Sequence, residues 1–301
     1  ECHRYGSKEN SKIFKIKFSY TLGLSATPER FGDLGFEKKI EPNLGKIIYS
    51  YSYSDALRDG VIPPYKLVRI KVSLKDEEYL QYEEYTNQIN KLLKLLFFKY
   101  PQLKMVKPSE FFKELSLLYE KTNDNMITRY TSLLIRRKEL IHMSKSKLEA
   151  LKWLISNEDL KNERVLIFHE RIEEAEKIYR YLKEQEFKVG IYHTSMPLYQ
   201  RLENISGYRK GDINILVSCR ALDEGFDVPD SNIGIIVAGT SSVRQWIQRM
   251  GRILRKTPGK EFSKIYVIFI DIVERDVFKE RELVEFEKEA LSVESINLTF
   301  K

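Results

Sequence analysis

The chain has 301 residues, 42% of them apolar, and a formal net charge of +7. That length holds two globular units with a sizeable core, and the absence of any run of 18 apolar residues excludes a membrane-spanning helix. Cys2 and Cys219 are far apart and have no Cys-x-x-Cys partner, which excludes a zinc cage or a disulfide scaffold and points to a reducing, cytoplasmic setting.

The first residues, "ECHRYGSKEN", are polar and lack the apolar core of a signal peptide. "YTLGLSAT" (20–27) reads as one strand, followed by irregular sequence. "DGVIPPYK" (59–66), with a proline pair after a glycine, reads as a boundary. Helical patterns then fill 75–147. In 91–147 there are 13 Lys/Arg against 5 Asp/Glu, an excess that suggests a polyanionic partner. From "RVLIFHE" (164–170) onward, apolar runs alternate with helical stretches: "VGIYH" (189–193), "INILVS" (213–218), "IGIIVAG" (233–239) and "KIYVIFID" (264–271). Strands apolar on both faces, alternating with helices, predict a parallel sheet covered on both sides. Segment 274–294 is acidic and reads as a solvated helix or a docking surface for a protein.

Chemistry in open α/β sheets gathers at the carboxyl ends of strands. There the sequence places "CRALDEGFDVPD" (219–230), a glycine flanked by carboxylates, and then "QRMGRILR" (248–255), three arginines on a short helix. Near the start, "GLSATPER" (23–30) supplies Ser25 and Thr27, hydroxyls suited to relaying a hydrogen-bond change. Lys91, Lys94, Lys99, Lys104 and Lys107 occur with no acid among them, interleaved with Phe97, Phe98 and Tyr100. Such a pattern fits single-strand binding by phosphate attraction and base stacking. It also fits a leucine-phenylalanine core face with lysines on its wet side.

Taken in order, these stretches resemble the motifs of superfamily-2 nucleic-acid-dependent ATPases. "ECH" (1–3) is similar to the end of the DExH box, "SAT" (25–27) to the third motif and "VLIFHE" to the fourth. "ALDEGFDVP" is similar to the fifth and "QRMGRILR" to the sixth. "EGFDVPDSNIGIIVAGTSSVRQWIQRMGRILR" followed by "PGK" most resembles the XPB (Ssl-type) branch of repair and transcription helicases. The resemblance implies an α/β fold: residues 1–64 as the tail of a first RecA-like lobe, 65–147 as a linker strand and basic helical thumb, and 148–301 as a complete second RecA-like lobe.

The same resemblance implies roles. Arg252 and Arg255 would be arginine fingers for ATP, and Gln248 would contact the nucleotide or the facing lobe. Gly225 and Asp227 would meet the γ-phosphate region and the ribose. Glu1 would orient the attacking water, while His3, Ser25 and Thr27 would couple nucleotide state to the facing motif. Arg249 has a structural or lobe-bridging role, or is a surface ion pair. Cys219 falls where many relatives carry a threonine that binds a nucleic-acid phosphate, and Ser218 is the candidate substitute. The five lysines would hold DNA, as a single strand or fork. A G-x-x-x-x-G-K-[ST] loop is not among the 301 residues, and the Mg²⁺-holding aspartate would precede Glu1. The expectation is therefore a fragment whose ATP and Mg²⁺ are held mainly by an upstream lobe, and which does not hydrolyse ATP alone. The parent would be a DNA translocase or helicase, 3′→5′ by family, in the cytoplasm or at a nucleoid. Other readings are the motor of a restriction or phage-defence system, with a nuclease or repair protein as partner, or a binding module without turnover.

Overall fold

The computed structural model describes residues 1–25, 35–108, 110–219, 231–238, 249–251, 253–254, 260–274 and 281–300, with backbone only at 281–283 and 285. The chain divides into two compact units, Glu1–Ser50 with Gln81–Lys138 and Tyr51–Leu80 with Glu139–Lys301.

The second unit is built on seven strands: β1 (Tyr65–Val72), β2 (Val165–His169), β3 (Val189–Tyr192), β4 (Ile215–Cys219), β5 (Ile233–Ile236), β6 (Ser263–Ile270) and β7 (Ser292–Asn297). Their order in the sheet is β3-β4-β2-β5-β6-β1-β7, and every described pairing is parallel. Strands β2, β4 and β5 are buried at every position. That is why they read as unbroken apolar runs rather than as alternation.

Both faces are covered. On one, Leu166, Phe168, Leu216 and Ile236 pack with Ile205 and Tyr208, which lie on helix Leu198–Lys210, and with Ile253. On the other, helix Lys145–Asn157 packs on β1 and β6 and buries Ala150, Leu151 and Leu154. Gly234 is required where the first face is tightest. A Cβ there would lie 2.0 Å from Ile253 Cδ1, so only a glycine lets Ile253 sit directly on β5.

Three expectations change. The predicted linker strand, β1, lies inside the sheet rather than beside it, paired from Tyr65↔Ser263 to Val72↔Ile270 on one side and with β7 on the other. Tyr65, Leu67 and Ile70 are completely buried by that position, so the observed division falls at 51, 81 and 139 rather than at 65 and 148. The acidic segment 274–294 is not one solvated helix. Glu274 is buried, β7 is a strand, and Phe286 on helix Arg281–Lys288 stacks on Tyr65 with ring centroids 4.4 Å apart. Residues 20–25 are not a strand: a strand needs a ladder partner. None pairs with this segment among the described residues, and Tyr20, Leu22 and Leu24 are exposed.

The first unit contains short helical turns within 1–50 and a helical group. Helices α1 (Glu41–Leu44), α2 (Tyr53–Arg58), α3 (Asp76–Lys99), α4 (Phe111–Thr122) and α5 (Asn125–His142) run in chain order, of which α2 belongs to the second unit. Ile89, Leu92 and Leu96 of α3 join Leu103, Leu115, Ile127, Tyr130 and Leu133 in a separate core. Asn123, in the left-handed region at φ 53°, ends α4 and turns the chain into α5. In the second unit α6 (Lys145–Asn157), α7 (Ile172–Glu184) and α8 (Leu198–Lys210) follow.

Candidate functional site

In the first unit, the two short stretches singled out near the start of the chain meet. A 3-10 turn at Cys2–Gly6 lies along residues 23–25: the Cys2 backbone N–H donates to the Leu24 carbonyl at 2.9 Å, and the Glu1 nitrogen donates to the same oxygen at 2.7 Å. Gly23 permits this approach, since a Cβ on it would stand 2.8 Å from Leu44 Cδ1 and 3.2 Å from Cys2 Sγ. The His3 ring is then buried. Its Nδ1 shares a 2.8 Å hydrogen bond with Ser25 Oγ, and its Nε2 lies 3.1 Å from a carboxylate oxygen of the half-exposed Glu1. Two residues expected to couple nucleotide state, His3 and Ser25, are therefore in direct contact, and Glu1, expected to orient the attacking water, lies against the other side of the His3 ring.

In the second unit, charged and polar groups collect at the carboxyl ends of β2, β4, β5 and β6. Arg249 is the largest completely buried side chain among the described residues. Its guanidinium lies 5.3 Å from the Phe168 ring centroid, and Nη1 donates to the Ala238 carbonyl at 3.4 Å. Arg249 is therefore an internal strut joining its helix to the ends of β2 and β5, not a surface ion pair. Arg249 is buried together with Met250, Ile253 and Leu254, and Gly234 makes room for the close approach of Ile253.

Beside it, Lys147 Nζ is 2.7 and 2.9 Å from the two oxygens of Glu274, which also accepts the Ile270 N–H at 2.8 Å. His169 accepts the Arg171 N–H on Nδ1 at 3.0 Å and is 3.2 Å from the His142 carbonyl through Nε2, a pattern that fixes the neutral tautomer. Burial, with the Lys147 and Arg249 cations behind it, pushes its pKa down to about 3. Neither the Lys147–Glu274 pair nor the neutral His169 announced itself in the sequence. Each depends on partners more than twenty residues away.

A cleft of about 450 Å³ opens on the same edge, lined by Glu139, Met143, Glu170, Arg171, Thr194 and Cys219 among others. Arg171 is ion-paired to Glu139 there. Cys219 closes β4, while Ser218 sits in register with Phe168 and Tyr192, buried, and its hydroxyl has no hydrogen-bond partner among the described residues.

Gly225, Asp227, Gln248, Arg252, Arg255 and Thr27 lie outside the described residues. Lys91, Lys94, Lys99, Lys104 and Lys107 are all exposed. Lys99 is paired with Asp124 at 2.8 Å. The aromatics among them divide: Phe97 and Tyr100 pack against the helical core, whereas Phe98 is 85% exposed. Among the described residues no helix is long and apolar enough to cross a membrane.

A parallel sheet covered on both faces, with its polar groups at the strand carboxyl ends, gives the second unit the architecture of a RecA-like lobe. Residues 146–257 match the helicase conserved C-terminal domain. The DNA 3'-5' translocase XPB2 of Sulfurisphaera tokodaii is 30% identical over 259 residues, 85% of this chain and 54% of that protein. UvrABC system protein B of Metamycoplasma arthritidis is 26% identical over 226 residues, 71% of this chain and 32% of its own length. Among solved structures, a fragment assigned to the HsdR subunit of a type I restriction enzyme from Vibrio vulnificus aligns over 91% of this chain and 43% of its own, at TM-score 0.54 and 14% identity, a likeness of fold. The chain spans about half the length, or less, of the curated relatives it matches. These matches support a superfamily-2 helicase or translocase.

Proposed function

We propose that the intact protein is an ATP-driven DNA translocase or helicase of the XPB-like type. The observation that carries this reading is the His3–Ser25 hydrogen bond, with Glu1 on the other side of the ring. A buried imidazole between a carboxylate and a hydroxyl supports this reading, because it can pass a change at Glu1 on to the Ser25 hydroxyl. The similarity to a protein named as a DNA 3'-5' translocase supports the XPB-like branch and, with it, 3′→5′ movement in a repair or transcription setting.

On this reading Glu1 orients the attacking water, and His3 passes the change to Ser25 and Thr27. Gly225, Asp227 and Gln248 hold the nucleotide. Arg252 and Arg255 neutralise the charge that grows on the γ-phosphate oxygens; a finger of this kind changes phosphoryl-transfer rates by roughly 10³–10⁵ in related chemistry. ATP bound with Mg²⁺ supplies the phosphoryl group. Arg249, anchored at Ala238 and Phe168, ties down the start of the stretch that carries the fingers in sequence. Residues 1–50, within the first compact unit, are the tail of a first RecA-like lobe, and the lysines of α3 and the turn after it hold the phosphate backbone of DNA. Without a G-x-x-x-x-G-K-[ST] loop, the 301 residues alone do not turn over ATP.

The test is ATP hydrolysis with and without single-stranded DNA, on the intact protein, its Arg252→Ala variant and the 301-residue chain. DNA-stimulated turnover by the intact protein, with the other two silent, is the expected result. Turnover by Arg252→Ala at the parent rate would sink the assignment of the fingers.

A further inference from the structure

The helical core claims most of the apolar residues of α3, but not all of them. Leu92 and Leu96 are buried, and Phe97 and Tyr100 pack against the same cluster. Left outside it are Leu95, 43% exposed, and Phe98, 85% exposed. Residues 91, 94, 95 and 98 are spaced i, i+3, i+4, i+7, so Lys91, Lys94, Leu95 and Phe98 share one face of the helix. The following turn adds Lys104 and Met105, the latter 88% exposed. No acid occurs from Lys91 to Lys107. Lys91, Lys94, Lys104 and Lys107 have no ion-pair partner among the described residues.

A single exposed apolar residue is ordinary on any protein surface. A nearly naked phenyl ring in an acid-free row of lysines is a different arrangement, because the charges around it select what can cover it. A second copy of the same face would bring lysine against lysine. A polyanion is attracted, and among polyanions a single strand also offers unpaired base faces, which stack on an aromatic ring; a duplex keeps its bases stacked inside.

We infer that this face of α3 is a single-strand binding site in which Phe98 stacks on a base while Lys91 and Lys94 neutralise the adjoining phosphates. The inference rests on the reading that the protein acts on nucleic acid, and it adds the residue by which the helical unit distinguishes single strand from duplex. Phe97 and Tyr100 take no part: they belong to the core.

Because Phe98 is exposed, replacing it leaves the fold intact, and thermal unfolding of each variant checks this. The experiment measures fluorescence anisotropy of a labelled oligothymidylate and of a blunt DNA duplex with the 301-residue chain, over a range of salt. Phe98→Ala should weaken single-strand binding about 5- to 150-fold, leave duplex binding within about twofold, and leave the salt dependence unchanged. Phe98→Tyr should restore the parent affinity. Lys94→Ala should instead flatten the single-strand salt dependence by roughly 0.7 in log–log slope, one phosphate contact. If Phe98→Ala binds the single strand like the parent while Lys94→Ala weakens it, the face holds backbone only and the stacking role falls, although the nucleic-acid reading stands. If the parent binds neither strand nor duplex, that reading falls too. Loss of concentration-dependent self-association in Phe98→Ala, with strand binding intact, would give the face to a second copy and also overturn the inference.

Discussion

Lowering the pH from 7 to 5 tests the buried end of the sheet through His169. In the folded protein its pKa is held at about 3 by burial and by the Lys147 and Arg249 cations, whereas an unfolded chain titrates a histidine near 6.5. Between those two values the unfolded state binds a proton that the folded state refuses, so stability falls as pH drops through 6.5 and continues falling toward 3. At about 1.36 kcal/mol per pKa unit, the loss at pH 5 is roughly 1.5 units, or about 2 kcal/mol. Above pH 7 this contribution is flat. Both tryptophans, Trp153 and Trp246, belong to the second unit, so urea unfolding followed by their fluorescence reports on that unit. With a slope of about 2 kcal/mol per molar urea, the parent midpoint should fall by about 1 M between pH 7 and pH 5 from this group. Other groups titrate as well, so the decisive quantity is a difference of differences. His169→Gln keeps a donor and an acceptor but cannot be protonated, and should lose about 2 kcal/mol less than the parent over the same interval. An identical pH response in parent and variant would refute the argument that His169 is buried and neutral.

Two further substitutions probe the same edge. Gly234→Ala places a methyl 2.0 Å from Ile253 Cδ1 and should destabilise the second unit by about 1–3 kcal/mol, visible as a lower urea midpoint; adding Ile253→Val should recover part of the loss, and no recovery would mean the contact is not the cause. Lys147→Met leaves the Glu274 carboxylate buried without its cation and should cost roughly 3–5 kcal/mol. The double variant Lys147→Met/Glu274→Gln should regain much of this in the same assay, and an additive double variant would show that the two side chains do not act as a pair.

The strands of the second unit were legible because their two-sided burial leaves apolar runs such as "VLIFH" and "ILVSC", and each lies where those runs predicted. The helical unit was legible too, from leucine spacing in α3. The segment at 20–25 was misread for a physical reason: apolar alternation records a tendency, while a strand exists only where a neighbour supplies hydrogen bonds. Likewise "SVESIN" looks like a charged surface stretch, and it became β7 because β1 offered it a free edge.

The candidate site divides along the same line. Residue types at fixed spacing, Glu1 with His3 and the arginines of 248–255, are written locally and can be read off the chain. The sequence by itself determined which residue types stand at which spacing and the alternation of strand and helix. Only the tertiary structure decided that His3 meets Ser25, that Arg249 turns inward to Ala238 and Phe168, that Lys147 finds Glu274, and that Phe98 alone of three clustered aromatics stays in solvent. Each of those outcomes depends on which element packs against which, and burial is a property of the assembled fold that no local pattern encodes.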